Sequence, residues 1–90
     1  MLFMVVERFK GCDPRAAYRR LQEEGRHIPD GLTYHGSWIE ANFDRCFQLM
    51  ETDDPALLQQ WALAWSDLVE LEFVPVVPSK EAAEVVKAAL

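Results

Sequence analysis

The chain is short and acidic: it has 90 residues, and 15 Asp and Glu residues against 9 Lys and Arg residues give it a net charge of −6. An acidic chain is repelled by nucleic-acid phosphates and by anionic lipid. Its most basic stretch, residues 15–26, is interrupted by Glu23 and Glu24. No segment approaches the roughly 20 apolar residues that span a bilayer. We therefore expect neither a nucleic-acid nor a membrane partner, and we expect a cytoplasmic protein.

Apolar residues make up 50% of the chain and aromatic residues 11%. A chain of this length buries only about 60–65% of the surface that its unfolded form exposes, so its core is thin. The apolar content is generous for such a core. We therefore expect another chain to cover part of the apolar surface.

The two cysteines, Cys12 and Cys46, do not form a recognisable framework. The sequence has no C-x-x-C pair and no Cys/His cluster with zinc spacing. It also lacks a G-x-S-x-G turn and a glycine-rich phosphate loop. We predict that Cys46 is a reduced core residue, and we expect no metal and no cofactor.

The first half of the chain reads as strand, helix and strand. Leu2 to Phe9 is apolar on both faces, as in a central strand. Asp13-Pro14 predicts the start of a helix that runs to about Glu24, where Gly25 ends it. Residues 32–40 alternate between apolar and polar side chains and predict the second strand.

The second half repeats the order strand, helix and strand, and its first strand forms a hairpin with the last strand of the first half. Residues 45–52 predict a third strand, joined to the second by a four-residue connection. Asp53-Asp54-Pro55 then starts a helix whose apolar residues recur every three or four positions. Residues 69–77 predict a fourth strand, which Pro75 places at a sheet edge. A short helix follows from Pro78-Ser79.

This order predicts an α+β fold of the ferredoxin-like β-α-β-β-α-β type, with a four-stranded antiparallel sheet and two helices on one face. Strands one and three are expected in the centre and strands two and four at the edges. We expect one domain over residues 1–90, with a core at 1–77 and a C-terminal helix at 78–90.

The sheet face without helices, called the open face below, is expected to be mixed. Pairing Glu40 with Arg45 sets Trp38 opposite Phe47 and His35 opposite Met50. A carboxylate avoids the side beneath the helices, which predicts that Glu7 lies on the open face. The polar side chains expected on this face are Glu7, His35, Ser37, Gln48 and Glu72.

Four of these side chains are candidates for chemistry. His35 is either a general base or ligand contact, or a hydrogen-bonded interface histidine. Glu7 and Glu72 are either an acid–base carboxylate pair or members of ion pairs across an interface. Gln48 needs partners for a buried amide, which lie either across a dimer or in a pocket.

Several stretches resemble one family of small domains. They are residues 4–9, 31–34, 37–38, 46–53 and 65–68. Together they are similar to an uncharacterised bacterial family, the domain of unknown function number three-three-zero-three, over residues 1 to about 77. The resemblance implies a place in the dimeric α/β-barrel superfamily, in which two ferredoxin-like subunits face their open sheets toward each other around a small ligand. It implies no activity for any residue.

Three functions remain open from the sequence. The first is a homodimer that binds a small, partly apolar ligand between the two sheets, through Glu7, His35, Ser37, Gln48 and Glu72. The second is a cofactor-independent oxygenase or isomerase with His35 as its base. The third is a dimerising protein-interaction module that uses the C-terminal helix.

Overall fold

The computed structural model describes all residues 1–90. The elements are strand β1 (Leu2–Phe9), helix α1 (Arg15–Glu24), strands β2 (Thr33–Ile39) and β3 (Arg45–Glu51), helix α2 (Ala56–Trp65), strand β4 (Val69–Val76) and helix α3 (Ser79–Ala88). A single 3-10 turn over Lys10–Cys12 connects β1 to α1. None of the helices is long and apolar enough to cross a membrane.

The four strands form one antiparallel sheet in the order β2-β3-β1-β4. Strands β1 and β3 are therefore central, and β2 and β4 are the edges. With α1 and α2 as the two crossovers, this is the ferredoxin-like fold that the order of elements predicts.

Each crossover helix begins where an aspartate stands before a proline. The carboxylate of Asp13 accepts a hydrogen bond from the backbone N–H of Arg15 at 3.0 Å. The carboxylate of Asp54 accepts one from the N–H of Ala56 at 3.0 Å. These bonds satisfy N–H groups that lack a partner in the first turn, which explains why both helices begin there. Helix α1 ends at Gly25, whose φ is +78°.

The hairpin register agrees with the prediction over most of its length. Trp38 lies opposite Phe47, and Glu40 is joined to Arg45 by a backbone bond of 2.8 Å. The expected pairing of His35 with Met50 is wrong. The ladder shifts between Tyr34 and Gly36, so that Tyr34 lies opposite Met50 and His35 is the extra residue of a bulge.

The core lies between the sheet and the two crossover helices. From the sheet it takes Phe3, Val5, Phe9, Cys46 and Met50, all at most 9% exposed. Helix α2 contributes its buried stripe of Leu58, Trp61 and Trp65, and α1 contributes Ala17. By contrast, no residue of α3 is buried.

The faces of β1, of β3 and of the part of β2 after its bulge are the reverse of the prediction. Glu7 and Gln48 are only 8% and 6% exposed, and both lie on the side that packs against the helices. Ser37 pairs with Gln48 and shares that side. The cause is the period of two along a strand, which moves every side chain together when one is placed on the wrong face.

The open face therefore has an apolar centre. On this face Val6 lies between Phe47 on β3 and Glu72 on β4, and Met4 lies between Leu49 on β3 and Val74 on β4. Trp38 on the edge strand β2 lies next to Phe47 and is 60% exposed. Glu72 lies on this face, as predicted.

Candidate ligand-binding site

A cavity of about 100 Å³ lies between the sheet and the two crossover helices. Its sheet side is formed by Glu7, Phe9, Ser37, Cys46 and Gln48. Its helix side is formed by Ala17, Tyr18, Leu21, Arg26, Trp61 and Trp65. The cavity is therefore an aromatic and aliphatic pocket with a few polar groups, which is the usual composition of a small-molecule site.

The polar floor of the cavity joins two neighbouring central strands. The side-chain amide of Gln48 on β3 donates a hydrogen bond from Nε2 to Oε1 of Glu7 on β1. The other end of the same amide, Oε1 of Gln48, is buried and has no hydrogen-bond partner. Most buried polar atoms in proteins are paired, so an unpaired oxygen on a residue that lines a cavity marks a place for a hydrogen-bond donor.

Glu7 is the group with reactive chemistry in this cavity. Burial disfavours its charged form and raises its pKa from 4.5 to about 7, although the hydrogen bond from Gln48 and the nearby Arg26 act in the opposite direction. A carboxyl group with a pKa near neutrality accepts and returns a proton readily at physiological pH.

The neighbouring thiol does not share this reactivity. Cys46 is buried next to Glu7, and burial, followed by the charge of Glu7, raises the pKa of its thiol to about 11. A thiol in such an environment stays protonated at neutral pH and is a poor nucleophile. Cys46 is unpaired, in agreement with its predicted reduced state.

The loop after α1 closes the helix side of the cavity. The backbone carbonyl of Arg26 accepts hydrogen bonds from the indole N–H groups of both Trp61 and Trp65, at 2.9 Å each. The guanidinium group of Arg26 lies 4.0 Å from the centre of the Tyr34 ring. One residue thereby fixes the loop to α2 through its backbone and to β2 through its side chain.

His35 lies outside this cavity. Its Nε2 is 2.8 Å from Oε1 of Glu51, and this contact is at the edge of the open face. Glu72 is also outside, because it lies opposite Val6 and faces away from the helices. Glu7 and Glu72 therefore point to opposite sides of the sheet, and the carboxylate pair expected from the sequence does not form.

Of the five predicted contacts, the structure brings together Glu7, Ser37 and Gln48. Sequence reasoning missed Arg26, which it treated as part of an interrupted basic stretch, and it did not single out Tyr18. No pattern in the sequence marks these two, since they reach the cavity through the loop and through α1. No three His, Cys, Asp or Glu side chains come together as a metal-binding group.

The comparisons with known proteins give one match. A family model described as a domain of unknown function (DUF3303) matches residues 1–90. No curated protein and no solved structure matches the chain. The family resemblance inferred from the sequence is therefore confirmed, and the match includes the C-terminal residues 78–90 that the resemblance left out.

Proposed function

Because the chain belongs to the DUF3303 family, whose description assigns no activity, we propose its function from the cavity: it binds a small, partly apolar molecule between the sheet and the crossover helices. The observation that carries this proposal is the buried, unpartnered Oε1 of Gln48 at the cavity. This location replaces the site between two sheets that the sequence suggested, since Glu7, Ser37 and Gln48 all face the helices.

The size and lining of the cavity limit the ligand. A volume of about 100 Å³ is smaller than the roughly 150 Å³ cavity that accepts benzene in an engineered protein. A molecule of about four or five non-hydrogen atoms suits that space. The indole rings of Trp61 and Trp65 favour a flat or apolar body, and Gln48 favours a hydrogen-bond donor on it.

A fragment titration followed by ¹⁵N–¹H NMR tests this proposal. We expect fragments of that size to shift the side-chain amide of Gln48 and the indole N–H signals of Trp61 and Trp65. Gln48→Met keeps the side-chain length but removes the amide, and it should abolish the binding of polar fragments. The matched control is Gln59→Met, at an exposed position on α2. Fragment shifts that cluster elsewhere, or binding that survives Gln48→Met, would refute the proposal.

A catalytic function is the second candidate, and the specific observation that favours it is the pKa of about 7 at Glu7. In a cofactor-independent isomerase, Glu7 would take a proton from one carbon of the bound substrate and return it to another, with no net oxidation. His35 was the base expected from the sequence, but it contacts Glu51 outside the cavity. Turnover of any substrate should disappear in Glu7→Gln and persist in His35→Gln.

We also propose that the open face is covered by a second copy of the chain, in a dimeric α/β barrel. Its centre is apolar and its corners are charged, which is the composition of a protein–protein interface. Arg8 and Glu72 lie on this face and have no ion-pair partner within the chain. In an isologous dimer, Arg8 of each copy would pair with Glu72 of the other, because the same surface is present on both subunits.

Sedimentation equilibrium tests the dimer. The wild-type protein should have twice the mass of the 10.4 kDa chain. Leu49→Lys, at the centre of the open face, should reduce the mass to that of one chain. Leu63→Lys is the matched control, since Leu63 is 80% exposed on α2. A monomeric wild-type protein would contradict the proposal.

A further inference from the structure

Glu7 and Gln48 form a pair whose hydrogen-bonding direction depends on one proton. An ionised carboxylate only accepts hydrogen bonds, whereas a carboxamide has two donors on nitrogen and one acceptor oxygen. In the structure Nε2 of Gln48 donates to Glu7, which leaves Oε1 of Gln48 as the free group at the cavity. In this state the pair presents acceptors, and a ligand must supply N–H or O–H donors.

A protonated Glu7 reverses this arrangement. The carboxyl O–H then donates, and its natural acceptor is Oε1 of Gln48. The terminal torsion of a glutamine is broad and nearly two-fold, so the amide exchanges its two ends with little rearrangement of the side chain. After that exchange Nε2 faces the cavity, and the pair presents a donor. The favoured ligand then carries an acceptor and no N–H group.

The charged and titratable groups around Glu7 do not obscure this change. Arg26, from the loop after α1, supplies the positive charge that acts on Glu7. Tyr18 on α1 and Cys46 on β3 both have a raised pKa, chiefly because of burial. Both are therefore neutral near pH 7, and neither changes its charge in the range where Glu7 titrates.

The remaining elements around Glu7 carry no free polar group toward it. On α2, the indole N–H groups of Trp61 and Trp65 both donate to the carbonyl of Arg26. On β4, the residue opposite Glu7 is the apolar Leu71. On β2, the hydroxyl of Ser37 is 2.8 Å from that of Tyr34. The free hydrogen-bonding capacity at the floor of the cavity is thus concentrated on Glu7 and Gln48.

We propose that Glu7 and Gln48 form a pH-dependent selector, through which the cavity takes small planar molecules with N–H donors above neutral pH and molecules with only acceptors below it. This inference rests on the proposed ligand-binding function of the same cavity. The ligand class above neutral pH is a planar group with two N–H donors, such as a primary amide. One such group satisfies Oε1 of Gln48 and the free carboxylate oxygen of Glu7 together.

Two neutral, planar probes of the same size, each with an acetyl group and about four non-hydrogen atoms, test the selector: acetamide, which has two N–H donors, and acetone, which has none. Neither probe titrates between about pH 5 and about pH 8, so any change in affinity comes from the protein. Dissociation constants are measured by NMR titration of the wild-type protein, of Glu7→Gln and of Glu84→Gln. The Glu84→Gln variant removes an exposed carboxylate from α3, away from the cavity and the open face, and serves as the control.

The acetamide dissociation constant should fall about thirtyfold between pH 5.5 and pH 8, because the binding-competent carboxylate rises from about 3% to about 90% of the protein when the pKa is about 7. The acetone constant should rise over the same range. Both dependences should vanish in Glu7→Gln and persist in Glu84→Gln. The side-chain amide signals of Gln48 should change with the same midpoint in the protein without a probe, which gives a readout independent of affinity.

The possible results distinguish a failure of the selector from a failure of the ligand-binding function. Binding of neither probe at this cavity at either pH would refute the ligand-binding function and the selector with it. Binding at the cavity with the same pH dependence for both probes would leave the ligand-binding function in place and refute the selector. Opposite pH dependences that persist in Glu7→Gln would assign the effect to another group, and the selector would again be wrong.

Discussion

Replacing Glu7 by Gln should stabilise the protein at alkaline pH and leave it nearly unchanged in acid. The pKa of Glu7 is raised from 4.5 to about 7 in the folded state. Between these two values the folded protein holds a proton that the unfolded chain has released. The stability that this proton on Glu7 contributes is therefore fully present below about pH 4.5 and is lost as the pH rises through about 7.

The magnitude follows from the same two values. At about 1.4 kcal/mol for each pKa unit, the whole effect is about 3 kcal/mol, and about 2.5 kcal/mol of it falls between pH 5 and pH 8. A glutamine keeps the hydrogen-bonding partner for Gln48 and carries no charge, so Glu7→Gln should lack this loss. At pH 8 the variant should exceed the wild-type protein in free energy of unfolding by about 2 to 3 kcal/mol.

Urea unfolding followed by tryptophan fluorescence at pH 5 and pH 8 measures this difference. Glu84→Gln, which removes an exposed carboxylate from α3, should follow the wild-type pH profile within about 0.5 kcal/mol. The reasoning would be refuted if the difference between Glu7→Gln and the wild-type protein were the same at both pH values.

Three further predictions concern packing, the backbone and thiol chemistry. Met50→Ala should lower the free energy of unfolding by about 2 to 5 kcal/mol in urea, since Met50 is 0% exposed; a loss below about 1 kcal/mol would contradict its place in the core. Gly31→Ala should cost about 1 to 3 kcal/mol in the same assay, because Gly31 has a φ of +93° and a Cβ there would lie 2.9 Å from Leu57 Cδ1; an unchanged midpoint would contradict the strain. Iodoacetamide should modify the exposed Cys12 in the native protein and Cys46 only after unfolding, since Cys46 is buried with a thiol pKa of about 11. Equal rates at the two thiols by mass spectrometry would contradict the burial of Cys46.

The order of the elements could be predicted because each has a local signal. The two Asp-Pro pairs mark the starts of α1 and α2, where the aspartate oxygens accept backbone N–H groups. Gly25 marks the end of α1, and Pro75 indicates an edge strand. These signals depend on residues close in the chain, so no knowledge of distant contacts is needed to use them.

The faces of the strands could not be predicted in the same way. Strand β1 is apolar on both sides, so the expected position of Glu7 alone decided its orientation. A carboxylate beneath helices was judged unfavourable, but Gln48 and Arg26 lower that cost in the folded protein. The residue that marks the correct face is Leu71, which lies opposite Glu7 and packs against the core. That pairing joins the first and last strands of the chain and has no tight turn to define its register.

The position of the bulge in β2 could not be predicted either. A bulge adds one residue to one strand, and nothing in the alternation of residues 32–40 indicates where it falls. It removes His35 from the regular ladder and lets it reach Glu51. The candidate site therefore shares only Glu7, Ser37 and Gln48 with the five ligand contacts predicted from the sequence.

The two edges of the sheet also determine how this apolar chain can associate. An unprotected edge strand recruits further strands from other molecules, and the resulting cross-β stacks grow without limit. Here β2 carries the bulge at His35, and β4 carries Pro75, which has no N–H to offer a neighbour. Growth by strand addition is therefore disfavoured at both ends of the sheet. The open face remains as the route for the proposed self-association. A face that pairs with its own copy is occupied after one partner, so such an assembly would stop at two chains.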